Sequence, residues 1–266
     1  QNIASATVMG GVSNVETLEV TGVRDIDLIA NVSTTTFDFT DDDIQTLDID
    51  EGYTNETTVL MSKLSAAGAI VDDAAGADSF INLANVTSHV YVSSAELDGA
   101  GGELTVTGGS GTDNLYVYLT GNPADPTSDD ALGDSITNFE TITIMDAPGG
   151  NAATAIDLGA NYTIGTGKDL TVDASALDAA DTNLFSFDAS DLAAAATGGK
   201  LTYTDGANAG SVIGGNNLDT ITMGAGNDTV VGTAGNNIIS LGDGADSVTA
   251  GTGIENISGG AGNDTI

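Results

Sequence analysis

Six nine-residue rows run in phase to the end of the chain: GGNNLDTIT (214–222), MGAGNDTVV (223–231), GTAGNNIIS (232–240), LGDGADSVT (241–249), AGTGIENIS (250–258) and GGAGNDTI (259–266). They align without a single insertion and share the form GGxGxDxUx, six turn-forming residues followed by three strand residues, with U a large aliphatic. Glycine at positions two and four accepts positive φ and lets carbonyl oxygens converge on one point, to which the sixth-position Asp adds a carboxylate. Such oxygen donors are hard ligands and select calcium over zinc or copper. Ile221, Val230, Ile239, Val248, Ile257 and Ile266 hold the U position. One aliphatic side chain per row builds a core only if the chain coils on itself and stacks these residues into a ladder.

Upstream, DGANAGSVI (205–213) keeps the phase but loses most of the pattern, and reads as the entry into the array. One further copy, GGSGTDNLY (108–116), stands alone. Longer units recur as well. VSNVETLEV (12–20) matches ITNFETITI (136–144), placing Asn14, Glu16 and Thr17 on Asn138, Glu140 and Thr141; DIQTLDI (43–49) is a weaker third copy. SSAELDGAGGELTVTGG (93–109) pairs with ASDLAAAATGGKLTYTDG (189–206), and VDASAL (172–177) with FDASDL (187–192). The chain therefore reads as two tandem modules separated by GNPADPTSDDALGD (121–134). The expected domains are a first β-solenoid module over 1–120, a linker over 121–135, a second module over 136–204 and a nonapeptide β-roll over 205–266. Thr alternating with β-branched residues in LTVTG and TITIM predicts short strands almost throughout. One short helix is expected, with Ser190 as N-cap into DLAAAA and Gly198 and Gly199 ending it.

Composition narrows the chemistry. Asp plus Glu number 39 against 4 Lys plus Arg, for a formal charge of -35. That balance excludes nucleic acid and other phosphate partners, and its self-repulsion makes a multivalent cation the first partner to expect. An apolar content of 40% with 36 Gly and 3 Pro is too hydrophobic for a disordered acidic tail. With one His (His89), one Arg (Arg24), three Lys (Lys63, Lys168, Lys200) and neither Cys nor Trp, triad, thiolate and zinc-cysteine chemistry have no members, so no catalytic residue is assigned. Absent Cys also leaves packing and metal to hold the fold. No apolar run approaches the 18 residues of a spanning helix, and membrane insertion is not expected. The start at Gln1 is read as a processed product or an excised segment. His89, in the alternating strand TSHVYV, and the acidic clusters Asp41 to Asp43, Asp72 with Asp73, and Asp129 with Asp130 read as ordinary strand and solvated loop residues. The sequons NVT (85–87) and NYT (161–163) permit glycosylation only in a host with that machinery.

These rows resemble the RTX family, whose glycine-rich nonapeptides build a parallel β-roll with two turns per coil and calcium between stacked turns. The resemblance implies an all-β, right-handed parallel β-helix or β-roll solenoid with Ca2+ as its cofactor. It sorts alternate rows onto two edges. One edge receives Asp228, Asp246 and Asp264 together with Gly224, Gly226, Gly242, Gly244, Gly260 and Gly262, a complete ligand pattern. On the other, Asn237 and Glu255 replace the carboxylate and Asn217 replaces a glycine, so that Asp219 alone survives. A lopsided roll, metal-rich on one side, is the expectation. The isolated copy adds Asp113, a ligand only if the fold supplies a stacking partner.

The upstream part resembles calcium-dependent bacterial surface-layer proteins. That similarity rests on the NxETLxV strands, FDAS (187–190) and the GGxLTxT lead into the array. It implies a structural, self-assembling subunit of the extracellular bacterial cell surface, exported by type I secretion. Partners would be calcium, further copies of the chain in a lattice or head-to-tail filament, and cell-surface polysaccharide. The alternative is the repeat stalk of a large adhesin; an accessory module of a polysaccharide-active enzyme ranks third. Calcium would act as a folding switch, because carboxylates gathered in turns repel until an ion binds.

Overall fold

A computed structural model of the chain describes residues 104–108, 112–119, 136–145, 154–159, 162–177, 184–192 and 199–266, together with strand segments before residue 104. The expected linker, 121–135, lies outside the described residues, as do Asp41 to Asp43, Asp73, Asp129 and Asp130. Two compact units are present: Gln1–Tyr118 with Ser135–Phe139, and Leu119–Asp134 with Glu140–Ile266.

The first unit holds two parallel sheets. One runs through Thr7–Met9, Arg24–Leu28, Ile44–Ile49, Ser79–Asn82, Leu104–Thr107 and Ile136–Thr137, each strand pairing with the next. The other runs through Thr17–Glu19, Thr36–Asp38, Thr57–Leu60, Ser88–Ser93 and Asp113–Tyr118. Successive side chains point to opposite faces, so one face of the second sheet buries Val59, Val90 and Leu115 in register. The opposite face carries His89, Tyr91 and Tyr116. The two tyrosine rings stack with centroids 4.4 Å apart, and the Tyr116 hydroxyl reaches His89 Nδ1 at 3.5 Å. A short antiparallel pair, Ser62–Leu64 with Ile70–Asp72, interrupts the parallel pattern.

Two parallel sheets also make the second unit. Thr141–Met145, Leu170–Asp173, Leu201–Thr204, Thr220–Thr222, Ile238–Ser240 and Asn256–Ser258 pair in that order. So do Thr154–Asp157, Phe185–Asp188, Gly210–Ile213, Thr229–Val231 and Ser247–Thr249. Alternation sets the core: in Leu170–Asp173 and Leu201–Thr204 the first and third residues are buried and the Thr between them is exposed. The U ladder thereby continues above the nonapeptides. Ile142, Val172, Tyr203, Ile221, Ile239 and Ile257 stack in register on one sheet, and Ile156, Phe187, Val212, Val230 and Val248 on the other. The long coil that carries Phe187 and Tyr203 has room for rings stacked at 5.9 Å. Hydrogen bonds between coils span 31 residues at Lys200 and Asp169 but 18 within the array. A coil that short closes around aliphatic side chains.

No helix is present among the described residues. The expected one begins where Ala189 to Leu192 forms a turn, the Leu192 N–H donating to the Ala189 carbonyl at 2.9 Å; residues 193–198 lie outside the described set. At this turn Asp188 Oδ1 accepts the Ser190 N–H at 2.8 Å, and Leu192 is tucked into the core. Asp173 makes the same bond to the Ser175 N–H at 3.0 Å and Leu177 is buried likewise. The repeated VDASAL and FDASDL are therefore one kind of corner. Asn138 serves the NxET strand similarly: it adopts φ 65°, which Asn tolerates, and donates from Nδ2 to the Gly108 carbonyl at 2.8 Å.

Within the array the turns are themselves stitched together. The Asp243 N–H donates to the Gly224 carbonyl, the Ala261 N–H to Gly242, and the Gly244 N–H to Ala261. This stacking is tight enough to dictate glycine. A Cβ on Gly244 would lie 1.5 Å from the Gly226 carbonyl oxygen, at a φ of 158°. Gly244→Ala is expected to lower stability by about 3 kcal/mol or more even in saturating calcium, since backbone rather than a side chain blocks the methyl group. Thermal unfolding followed by circular dichroism measures this.

Candidate metal centre

The sixth-position residues form two columns, one per edge, with successive members 18 residues apart. In the first column, Asp228 Oδ1 accepts the Gly210 N–H at 2.8 Å, Asp246 Oδ1 the Asp228 N–H at 2.8 Å, and Asp264 Oδ1 the Asp246 N–H at 3.2 Å. In the second, Asp219 Oδ1 accepts the Leu201 N–H at 2.9 Å, Asn237 Oδ1 the Asp219 N–H at 2.9 Å, and Glu255 Oε2 the Asn237 N–H at 2.7 Å. Each turn is thus tied to the coil before it through one side-chain oxygen. The two strand ladders put each column on its own edge, and the glycines at positions two and four bring the neighbouring carbonyls close.

The second oxygen is the informative one. Asp219, Asp228 and Asp246 each keep Oδ2 buried without a hydrogen-bond partner, and Glu255 does the same with Oε1. A buried carboxylate oxygen facing no donor is costly, and a cation is the natural counterpart. Asn237 shows the contrast. Its Nδ2 donates to the Gly232 carbonyl at 2.6 Å, so the amide satisfies internally what a carboxylate would leave open. Glu255, which departs from the motif, reproduces the hydrogen bond of an Asp through its longer stem. The second edge therefore carries two open carboxylate oxygens, from Asp219 and Glu255, around a closed Asn237. Its sequence alone, with Asp219 the surviving carboxylate, led to a barer edge. Asp264 Oδ2 sits against Gly259, where a Cβ would approach to 2.5 Å.

Asp113 is fully buried in the first unit, with its Oδ2 against Gly108, as Asp219 Oδ2 lies against Gly214. Of the named glycines, Gly242, Gly244, Gly260 and Gly262 adopt positive φ. Gly224 and Gly226 serve by close approach instead, to the carbonyls of Gly206 and Asn208. Among the described residues no three acidic or imidazole side chains converge. Carboxylates arrive one per turn, so an ion that needs six to eight oxygens would draw the others from backbone carbonyls. Lys168 is paired elsewhere, its Nζ 3.5 Å from Glu140 Oε1.

Burial raises the carboxyls of Asp219 and Asp228 to about 6, against an ordinary 3.8. Hydrogen bonds from Leu201 and Gly210 pull in the opposite direction, and the charges of Glu255 and Asp246 add to the rise. The sign of the linkage follows. Between about pH 4 and 6 the unfolded chain gives up these protons while the folded, metal-free chain holds them, so stability falls as pH rises through that window. In EGTA the array is expected to keep more of its β-structure at pH 4.5 than at pH 7.5, with the order diminished or reversed by calcium, which binds the ionised form. Asp228→Asn should flatten part of the metal-free profile in thermal melts across the same range.

Comparison with known families agrees with this geometry. The RTX calcium-binding nonapeptide repeat (4 copies) matches residues 222–254 and 249–266. Comparison with curated proteins and with solved structures returned no match to either. The array is an RTX-type repeat region that binds calcium, folded as a parallel β-roll.

Proposed function

We propose that this chain is a structural, calcium-dependent, self-assembling component of an extracellular bacterial surface, a surface-layer or filament subunit exported by type I secretion. The observation that supports this reading most directly is the set of buried carboxylate oxygens without a donor between stacked turns, from Asp228 and Asp246 on one edge and from Asp219 and Glu255, on either side of Asn237, on the other. Ions there act as mortar between coils, not as a reaction centre. In calcium-poor cytosol the repelling turns stay open for export, and extracellular calcium closes them. Electron microscopy with calcium and with EGTA tests the proposal. Sheets or filaments that form in calcium and dissolve in EGTA are expected. Stiff calcium-bound monomers at all concentrations would favour an adhesin stalk, and assemblies indifferent to EGTA would remove calcium from the account.

A further inference from the structure

The entry row, 205–213, lies outside the matched repeats and has no carboxylate at its sixth position, where Gly210 stands. Yet the row is in register with the first edge. The Gly210 N–H donates to Asp228 Oδ1 just as the Asp228 N–H donates to Asp246 Oδ1. A Cβ on Gly210 would lie 1.9 Å from Asp205 Oδ2, so the Asp205 carboxylate fills the space in which a sixth-position side chain would begin. Asp205 is 5% exposed; its Oδ1 accepts the Gly206 N–H at 2.9 Å and its Oδ2 has no hydrogen-bond partner. Asp228, one coil further on and 1% exposed, also leaves Oδ2 unpartnered. The hydroxyl of fully buried Tyr203 lies beside Asp205, close enough for a loose hydrogen bond to its carboxylate, and within electrostatic reach of Asp228.

We infer that Asp205, reaching from position one, supplies the missing sixth-position carboxylate, and that Asp205 and Asp228 hold a further calcium ion above the motif-defined sites, with the Tyr203 hydroxyl facing it. Two neighbouring buried carboxylates with open oxygens have the chemistry of a hard divalent ion site. The substitution is reciprocal. Glycine at 210 makes room for the aspartate at 205, and either change alone would leave a collision or a gap. This inference rests on the reading that the edge carboxylates bind calcium.

The full chain, its Asp205→Asn variant and its Tyr203→Phe variant test it by calcium titration calorimetry and by tyrosine-sensitised terbium luminescence, with terbium as the calcium probe. D205N is expected to lose one bound calcium per chain while retaining the other sites, and to be at least as well folded as wild type in EGTA. Y203F is expected to keep the wild-type calcium count but lose a component of sensitised emission that D205N also loses. An unchanged calcium count and emission in D205N would overturn the inference and leave the repeat sites standing. Absence of calcium binding in the wild-type chain would overturn both. Loss of β structure in D205N with and without calcium, alongside unchanged emission in Y203F, would assign Asp205 a packing role only.

Discussion

Removing calcium at pH 7.5 is expected to erase the β-structure of residues 199–266, and restoring it to bring that structure back. Four acidic residues of the array, Asp219, Asp228, Asp246 and Glu255, place one oxygen each where nothing donates to it. The coil around them contributes a ladder only one aliphatic side chain wide per strand. So thin a core does not offset buried, mutually repelling charges. Binding free energy for the ion is then folding free energy for the coil. Far-ultraviolet circular dichroism during EGTA dialysis and calcium re-addition reads the transition directly. A spectrum and melting midpoint unmoved by exhaustive dialysis would show that the roll stands without its ions.

The second large effect comes from exchanging the side chains at two equivalent positions. Asp246→Asn keeps the oxygen that accepts the Asp228 N–H but replaces the open oxygen with an amide like that of Asn237. The calcium midpoint for folding should rise about tenfold or more, equivalent to about 1.4 kcal/mol, while the metal-free chain becomes more stable. Asn237→Asp reverses this. It breaks the 2.6 Å bond from Nδ2 to the Gly232 carbonyl and opens a new carboxylate oxygen between Asp219 and Glu255. A higher calcium count and, in EGTA, loss of β-structure at a lower pH than in wild type are the expected results. Calcium titrations followed by circular dichroism and calorimetry would show the two variants moving in opposite directions. Movement in the same direction would mean that the two columns do not differ in the way their side chains indicate.

Much of this was legible in the residues because the nonapeptide period fixes several properties together. A row places its U residue in the core, its sixth residue on an edge and its glycines under a carbonyl, so counting by nine recovered the ladder, the sorting of rows into edges and the calcium chemistry. What escaped depends on atoms, not on positions. Glu255 breaks the motif by one methylene, yet its carboxylate reaches the same N–H as an Asp. Asn237 looked like a lost ligand and is an internally satisfied one. Asp205 approaches its place from the opposite end of the turn, which no positional pattern registers. The corner at Asp188 to Leu192 is set by a local bond from Asp188 to the Ser190 N–H, an atom-level detail that the repeated DAS motif marks without explaining.

Hydrogen bonds from each turn to the turn 18 residues away also constrain how such a molecule can be lengthened or cut. Excising one row of nine would slide every later row to the opposite side, setting Asn237-type and Asp246-type turns in the same line and scrambling both. Excising or duplicating two rows leaves each line intact and changes the length by one strand spacing, about 4.8 Å. Spacers of graded height could therefore be cut from this sequence in even numbers of rows, and an odd number is expected to yield an insoluble product.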